Sequence, residues 1–373
     1  MLYQTHARIH MDNIRFNING IRKAIGTDRK LLISVKANAY GHGVVEISRL
    51  AEEMGVDWLG LATVPGGMLL RKSGIKLPIL KFSPAFEEEM QAAIQNDLTL
   101  TVCELGNITA LQKACEVEEK QLNVHLKIDT GMGRIGASTS EAGKIALYIE
   151  EKCPNLILEG IYTHLPVGDD PDLEYTEVQI QRFKAVVADI HQIIGRKVSL
   201  VHCANSGGVL GHPTSWLDLV RPGIMVYGHY PDALTPRTIP IKPGMSLYTR
   251  VMFVKKVNAG TSIGYGRSWF APEDTWIGTI PVGYADGFNR LFSNRGRVLI
   301  NGRSYPVVGR VCMDQTMVNL GPVTDVKIGD DVVLMGRSGS EEITCEEWAE
   351  KLNTITYEVT SRIAPRVSRV YQW

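Results

Sequence analysis

A chain of 373 residues exceeds the size at which a single hydrophobic core usually stops growing, so two domains are expected. With 40 basic against 40 acidic residues, 44% hydrophobic and 21% charged, it has the composition of a globular protein and no net positive field to attract a nucleic-acid backbone. The opening stretch MLYQTHARIHMDNIRFNI lacks the basic-then-apolar pattern of a signal peptide, and no run of about 18 apolar residues occurs, which predicts a cytoplasmic protein with no membrane partner. The six cysteines (Cys103, Cys115, Cys153, Cys203, Cys312, Cys345) form no CxxC pair and no zinc-site spacing, so they are expected to be reduced and mostly buried, with no metal.

From about Leu31 to Gly228, short apolar runs alternate with segments of helical period. The run LLISVK (31–36) predicts a first strand and residues 44–54 a helix. Further strands are expected at WLGLA (58–62), PILKF (78–82), LTLTV (98–102), LNVHLKI (122–128), LILEGIYTH (156–164), VSLVHCA (198–204) and IMVYG (224–228). The clearest helix spans about 172–194, with Val178, Phe183, Val186, Val187, Ile190 and Ile194 at three- and four-residue steps. Eight strand-helix units predict an α/β fold, a TIM-like (β/α)8 barrel; an open doubly wound sheet gives a similar local pattern, and the strand count argues for closure. The segment PDALTPRTIPIKPG (231–244), with four prolines, reads as a linker. Beyond it SLYTRVMFVKKV, TWIGTIPVGY, GRVLING, RSYPVVGRV and DVVLMG are strand-like, with one late helix near 346–352. The expected division is a barrel over residues 1–235 and a mainly-β domain over 236–373.

In a parallel barrel, reactive side chains gather at the C-terminal ends of the strands. Lys36 ends the first strand and is followed by Ala-Asn-Ala-Tyr40-Gly-His42-Gly. A rim lysine reaching into water is one reading; the other is a desolvated amine, its pKa lowered enough to form a Schiff base with a carbonyl. His164, His202 with Asn205 and Ser206, and Arg221 stand at other strand ends and would face the same mouth. Ser206-Gly-Gly and Arg221-Pro-Gly223-Ile224 can each aim backbone N–H groups at an anion such as phosphate, although ordinary turn chemistry explains either.

Gly131-Met-Gly133-Arg-Ile-Gly136 fits the dinucleotide pattern GxGxxG, with Glu150 and Glu151 about twenty residues on. The ribose-binding acid should end the next strand, whereas these glutamates precede it, so a dinucleotide site is rejected. Arg134 in this loop is better read as a clamp for a carboxylate.

Val35-Lys36-Ala-Asn-Ala-Tyr40-Gly-His-Gly resembles the lysine motif of the bacterial alanine racemases, pyridoxal-phosphate (PLP) enzymes of the barrel type. The resemblance continues in order through His125-Leu-Lys127-Ile-Asp129-Thr-Gly-Met-Gly-Arg134, Cys203-Ala-Asn205-Ser206, Arg221-Pro-Gly223-Ile224-Met-Val-Tyr227-Gly, Gly264-Tyr265-Gly266-Arg267, Pro281-Val-Gly-Tyr284-Ala-Asp286-Gly, Gly309-Arg310-Val-Cys312-Met313-Asp314 and Tyr357-Glu358-Val. It implies a PLP-bearing barrel, a β-domain, and a homodimer with shared active sites that interconverts L- and D-alanine by a two-base mechanism and supplies D-alanine for peptidoglycan.

By resemblance, Lys36 holds PLP and is one base, and Tyr265 of the partner subunit is the other. Arg134 and Met313 of the partner subunit would bind the substrate carboxylate, His164 would support Arg221 and Tyr265, and Arg221 would meet the pyridine nitrogen. Tyr40, Asn205, Ser206, Gly223, Ile224 and Tyr357 would hold the cofactor, largely at its phosphate, and Tyr284, Arg290 and Arg310 would line the entrance. A guanidinium at Arg221 does not give up its proton and leaves the ring nitrogen unprotonated; related barrel decarboxylases carry a glutamate there, which argues against decarboxylation. Lys127 is carbamylated in some relatives, which would give Arg134 an anionic partner; a neutral or surface lysine fits the sequence equally well.

The chain departs from the family at Leu-Pro-Val-Gly-Asp-Asp-Pro (165–171) and at Thr-Val-Pro-Gly-Gly-Met-Leu (63–69), so no gate role is carried over to Asp169 or Asp170. Other readings are a racemase of serine or of broader specificity, a non-catalytic PLP-binding protein, and a Schiff-base aldolase without PLP. The last leaves Arg221 and the phosphate turns idle.

Overall fold

The structure, a computed structural model, describes residues 3–373. It separates into two compact units, Ile14–Lys242 and a second in which the stretch ending at Asn13 joins Pro243–Trp373. The division read from sequence, 1–235 and 236–373, differs at both ends. The first strand, β1 (His6–His10), leaves the barrel side because its ladder partners lie far along the chain. The proline-rich segment stays with the barrel as far as Lys242, since Asn17 donates to Val226 O (3.0 Å) and Lys242 O (2.8 Å) and accepts from Lys242 N (2.7 Å). That segment is pinned rather than a free linker.

The Ile14–Lys242 unit is a parallel eight-stranded sheet formed by β2 (Lys30–Ser34), β3 (Trp58–Leu61), β4 (Ile79–Lys81), β5 (Thr99–Val102), β6 (Leu122–Lys127), β7 (Leu156–Tyr162), β8 (Leu200–His202) and β9 (Leu219–Val220). The order is β8-β7-β6-β5-β4-β3-β2-β9, so β9 returns to pair with β2 (Lys30↔Leu219, Leu31↔Val220). Across the remaining seam Asp218 N donates to Val201 O (3.1 Å) and Arg221 N to Ala204 O (2.9 Å), which nearly closes the barrel. Leu32, Trp58, Leu80, Leu200 and Leu219 pack as one buried cluster, each leucine contributing about 1.5–3 kcal/mol by leaving water. The long helix Glu174–Ile194 buries Thr176, Gln179, Ile180, Phe183, Val187 and Ile190 on one face and ends at Gly195 in the left-handed conformation (φ 70°).

The eighth strand is where sequence and structure part. Ile224–Tyr227, expected as a strand, is a buried 3-10 turn, and the strand is Leu219–Val220. Both segments are short, apolar and fully buried, and Pro222, which carries no N–H, prevents the ladder from running on past Arg221. Arg221 therefore follows the last strand instead of preceding it.

The second unit holds β10 (Met245–Arg250), β11 (Phe253–Val257), β12 (Ser262–Ile263), β13 (Trp269–Phe270), β14 (Thr275–Ile280), β15 (Arg297–Ile300), β16 (Arg303–Pro306), β17 (Thr316–Gly321), β18 (Asp331–Ser338), β19 (Glu341–Ile343) and β20 (Ser368–Gln372). One sheet runs β16-β15-β18-β10-β1-β20 with β19 on β18, a second β11-β14-β17, and β12 pairs with β13. Val257, Ile263, Ala271, Ile277 and Val308 form a core here with Trp269 and Met317 against it. Phe288, Phe292 and Trp348 form an aromatic cluster with ring centroids 4.7–5.4 Å apart.

All six cysteines are free thiols, with Cys103 and Cys312 partly exposed and the others buried. Among the described residues no helix is long and apolar enough to cross a membrane, and no His, Cys, Asp and Glu cluster could hold a metal.

Candidate active site

After β2 the chain turns through four successive non-glycine residues of positive φ: Ala37 (50°), Asn38 (55°), Ala39 (53°) and Tyr40 (52°). Each such residue costs about 1–2 kcal/mol in a left-handed turn and persists only where its surroundings fix it. Here Gly41 N donates to Ala37 O (3.0 Å), Gly43 N to Asn38 O (2.9 Å) and Val44 N to Asn38 Oδ1 (2.8 Å). The turn leaves Lys36 at the open barrel mouth and buries Tyr40, whose ring stacks on Tyr227 at 4.8 Å. Tyr227 is held in turn by its hydroxyl, which donates to Ser34 O (2.7 Å).

Four cations meet at this mouth. Lys36 is solvent-accessible in the single chain, yet the protein atoms around it and the positive charge of Arg134 lower its pKa. Lys127, at the end of β6, is 4% exposed, which removes the surface-lysine reading; burial, Arg134 and Arg221 bring its pKa down to about 8. Its Nζ lies 5.4 Å from the Tyr162 ring. Arg221 is buried, and burial lowers it to about 10, which still leaves it charged at neutral pH. His164 is pushed well below the ordinary histidine range by burial and then by Arg221, Arg134, Lys127 and Lys36. Among the described residues no carboxylate forms an ion pair with any of the four cations.

Arg221 is fixed from several sides. It donates to His202 Nδ1 (2.8 Å), Thr163 O (2.8 Å) and Cys203 O (3.2 Å), with His164 Nδ1 at 3.5 Å. Arg134 sits on an exposed loop held by Asp129, whose Oδ1 accepts from Gly131 N (2.9 Å) and Gly133 N (3.1 Å). Burial raises the Asp129 pKa, but N–H groups of Gly131, Gly133, Met132 and Arg134 outweigh it and hold the carboxylate below its usual range. The GxGxxG stretch is this loop: the next helix begins only at Ala142 and carries Glu150 and Glu151 on its length, in agreement with the rejection of a dinucleotide site.

A short distance along the rim, Gly223 N donates to Ser206 Oγ (2.9 Å), and Asn205 caps the helix Ser206–Gly211 by accepting from Gly208 N (3.0 Å). A Cβ on Gly223 would lie 2.4 Å from Tyr40 Oη, so only glycine lets this backbone approach the tyrosine. Ile224 opens the following 3-10 turn, so Tyr40, Ser206 and the Gly223 backbone meet at one place, with Asn205 beside Ser206 and Ile224 following Gly223.

In the other unit, Tyr265, Tyr284, Arg290, Arg310 and Met313 line one cleft of about 720 Å³. Tyr265 is 72% exposed and Met313 54%, unusual for large apolar side chains. Tyr357 lies elsewhere, on the helix Thr356–Ser361, and is not among this cleft's lining residues.

The family model of the alanine racemase N-terminal domain matches residues 9–231, and that of the alanine racemase C-terminal domain matches residues 244–371. The chain belongs to the alanine racemase family. It is similar to the alanine racemase of Cutibacterium acnes, with 44% identity over 98% of this chain and 97% of that protein, and to that of Methanococcus maripaludis, with 39% identity over 98% of each. Among solved structures it resembles the alanine racemase of Clostridium difficile 630 (TM-score 0.95, 37% identity, 100% of this chain and 96% of that one). It also resembles the Bacillus anthracis alanine racemase with bound L-Ala-P (TM-score 0.93, 33% identity, 100% and 95%). These structures support the family's fold for this chain, a nearly closed barrel and a β-rich domain.

Sequence reasoning passed over Tyr162 and Glu159. The Tyr162 ring stacks on His202 at 4.8 Å and 3° and lies 5.2 Å beneath the Arg221 guanidinium carbon. Its hydroxyl reaches Thr101 Oγ1 (2.7 Å) and Phe82 O (3.0 Å). Glu159 left a signal, as the one charged residue inside the apolar run LILEGIY.

Proposed function

We propose that this family member, an amino-acid racemase, interconverts L- and D-alanine with PLP as cofactor, and that it works as a homodimer whose sites use residues of both subunits. The observation that carries this is the cationic barrel mouth. Lys36, Lys127, Arg134 and Arg221 lower one another's or their neighbours' proton affinity with no carboxylate paired to them, as suits a site built for a phosphate and a substrate carboxylate. The donor set fits PLP: an amine of lowered pKa for its aldehyde, the Tyr40, Ser206, Gly223 and Ile224 cradle for its phosphate, and Arg221 for its ring nitrogen. PLP, when bound, withdraws electrons from the amino acid and so acidifies the hydrogen on Cα.

The chain's own groups then divide the work. Racemisation takes a proton from one face of Cα and returns one to the other, which calls for two bases. Lys36 Nζ serves one face and the hydroxyl of Tyr265 of the partner subunit the other, exchanging roles when the reaction reverses. The exposure of Tyr265 and Met313 supports this, since a second subunit would cover them. Arg134 holds the substrate carboxylate with its planar fork, joined by Met313 of the partner subunit. Arg221, which retains its proton, keeps the ring nitrogen unprotonated and disfavours decarboxylation; His164 stays neutral beside it. Asn205 completes the cofactor's surroundings in the barrel, and the cleft lined by Tyr284, Arg290 and Arg310 is read, by the family resemblance, as the entrance. A cytoplasmic enzyme supplying D-alanine for peptidoglycan follows from this reading.

The test is spectroscopic and chemical. PLP-loaded protein is expected to absorb in the visible, to lose that band in Lys36→Ala, and to lose racemisation in Tyr265→Phe while keeping the band. Protein that stays colourless with added PLP would sink the proposal. Comparing rates with alanine and serine separates the alanine enzyme from a broader racemase.

A further inference from the structure

Behind Arg221, on the side away from the mouth, the barrel encloses a line of polar side chains that the chemistry above does not use. His202 Nδ1 lies 2.8 Å from Arg221, His202 Nε2 lies 2.9 Å from His125 Nδ1, and His125 Nε2 lies 3.5 Å from Glu159 Oε2. Both histidines are fully buried. The two atoms at the far end, His125 Nε2 and Glu159 Oε2, are shielded from water and have no hydrogen-bond partner; each is the other's polar neighbour at 3.5 Å, a distance that a small ring rotation would shorten into a hydrogen bond.

The direction of this line is fixed by chemistry. A guanidinium can only donate, so His202 must accept at Nδ1 and carry its hydrogen on Nε2. His125 must then accept at Nδ1 and carry its hydrogen on Nε2, aimed at the Glu159 carboxylate, which can only accept. Burial lowers the pKa of both rings, opposed at His125 by Glu159 and aided at both by Arg221, so at neutral pH both are uncharged, as this order requires.

The strand is shaped to allow it. Val124 of β6 stands opposite Leu158 of β7, but His125 stands opposite Gly160, so Glu159 is an extra residue bulged out of the ladder. A Cβ at Gly160 would come within 2.5 Å of the His125 ring, so glycine makes the space the ring occupies. Tyr162 then covers His202 as a stacked plate.

We propose that Glu159 is a positioning residue that, through His125 and His202, orients the Arg221 guanidinium and ends its line of polar groups on a half-buried carboxylate of β7. This rests on the reading of Arg221 as the group that meets the cofactor ring. Bonds in such a chain polarise one another, so the charge at Glu159 is felt at Arg221 without contact between them.

The experiment compares full-length wild type, Glu159→Gln and, as a control on the same strand, Ile157→Gln, which changes a side chain 42% exposed. In cofactor-free protein labelled with 15N-histidine, imidazole NMR should find His125 and His202 with hydrogen on Nε2. The His202 ring nitrogens should shift in Glu159→Gln and stay fixed in Ile157→Gln. With PLP, kcat for alanine should fall about tenfold in Glu159→Gln, the low end of what removing a partner behind an active-site group costs. KM should change less than about twofold, because the substrate does not touch this chain of residues. His125→Asn, which breaks the line at its middle, repeats the kinetic test should Glu159→Gln fold poorly. Hydrogen on Nδ1 of His202, or unchanged His202 resonances and kcat in Glu159→Gln, overturns the proposal. The expected tautomers in wild type and the expected shifts in Glu159→Gln, in a wild-type protein that does not racemise alanine, would instead refute the assigned function and leave the line of polar groups standing.

Discussion

Acid should weaken this fold in the window where free histidine titrates. His125 and His202 are both fully enclosed, and burial lowers their pKa, by most for His202. In the unfolded chain each takes up a proton near pH 6.5, while in the folded protein burial delays that uptake to lower pH. The unfolded state therefore binds more protons below pH 6.5, and stability must fall as pH falls. A histidine held fully neutral down to pH 5.5 costs about 1.4 kcal/mol relative to pH 8, so the pair costs at most about 3 kcal/mol, and His164, lowered by burial in the same way, adds to the loss. For a unit of this size about 3 kcal/mol corresponds to roughly 6–12 °C in Tm, the ceiling for these two rings. Lys127, lowered to about 8, acts in a different window: its penalty grows between the unfolded lysine value and pH 8, then stays constant. Calorimetry of the cofactor-free protein between pH 7.5 and 5.5 isolates the histidines from it. A Tm that is level or rising toward pH 5.5 would refute the claim that these rings are held neutral.

Two further outcomes follow from the mouth itself. Gly223→Ala puts a methyl group 2.4 Å from Tyr40 Oη, and Tyr40 is held by its stack on Tyr227, so overpacking of about 1–3 kcal/mol is expected. PLP titration should show weaker binding in this variant, with the melting temperature lowered. Arg134→Leu removes an exposed cation that other cations repel, so the fold should lose nothing, while KM for alanine rises about 10- to 100-fold through loss of a charged hydrogen bond. Steady-state kinetics and a thermal melt on the same preparation check both halves.

The parts of the site that were legible in the sequence are those written in local signals. Lys36 closing an apolar strand, the glycine-bearing turn after it, and Arg221 beside Pro222 and Gly223 stand out because polar residues interrupt buried runs. The barrel was legible for the same reason, from alternating periods. What escaped depends on contacts distant in sequence. β1 is five residues long and alternates correctly, HARIH, but only pairing with β10 and β20 makes it part of the second unit. The swap of Ile224–Tyr227 for Leu219–Val220 as the eighth strand reflects a limit of apolar patterning, which is blind to whether a buried run is a turn or a ladder. β17 was missed because Thr316, Asn319 and Gly321 dilute an alternation that the structure still displays in its burial. Glu159 was visible as an oddity, but its meaning needed the register slip that turns it toward His125.

Chiral analysis of alanine after incubation with PLP-loaded protein tests the central claim most directly. Starting from pure L-alanine or pure D-alanine, the account predicts convergence on equal amounts of both, because the two are mirror images of equal free energy in solution. An unchanged enantiomer in a preparation that has bound PLP, or loss of carbon dioxide in place of inversion, would contradict it.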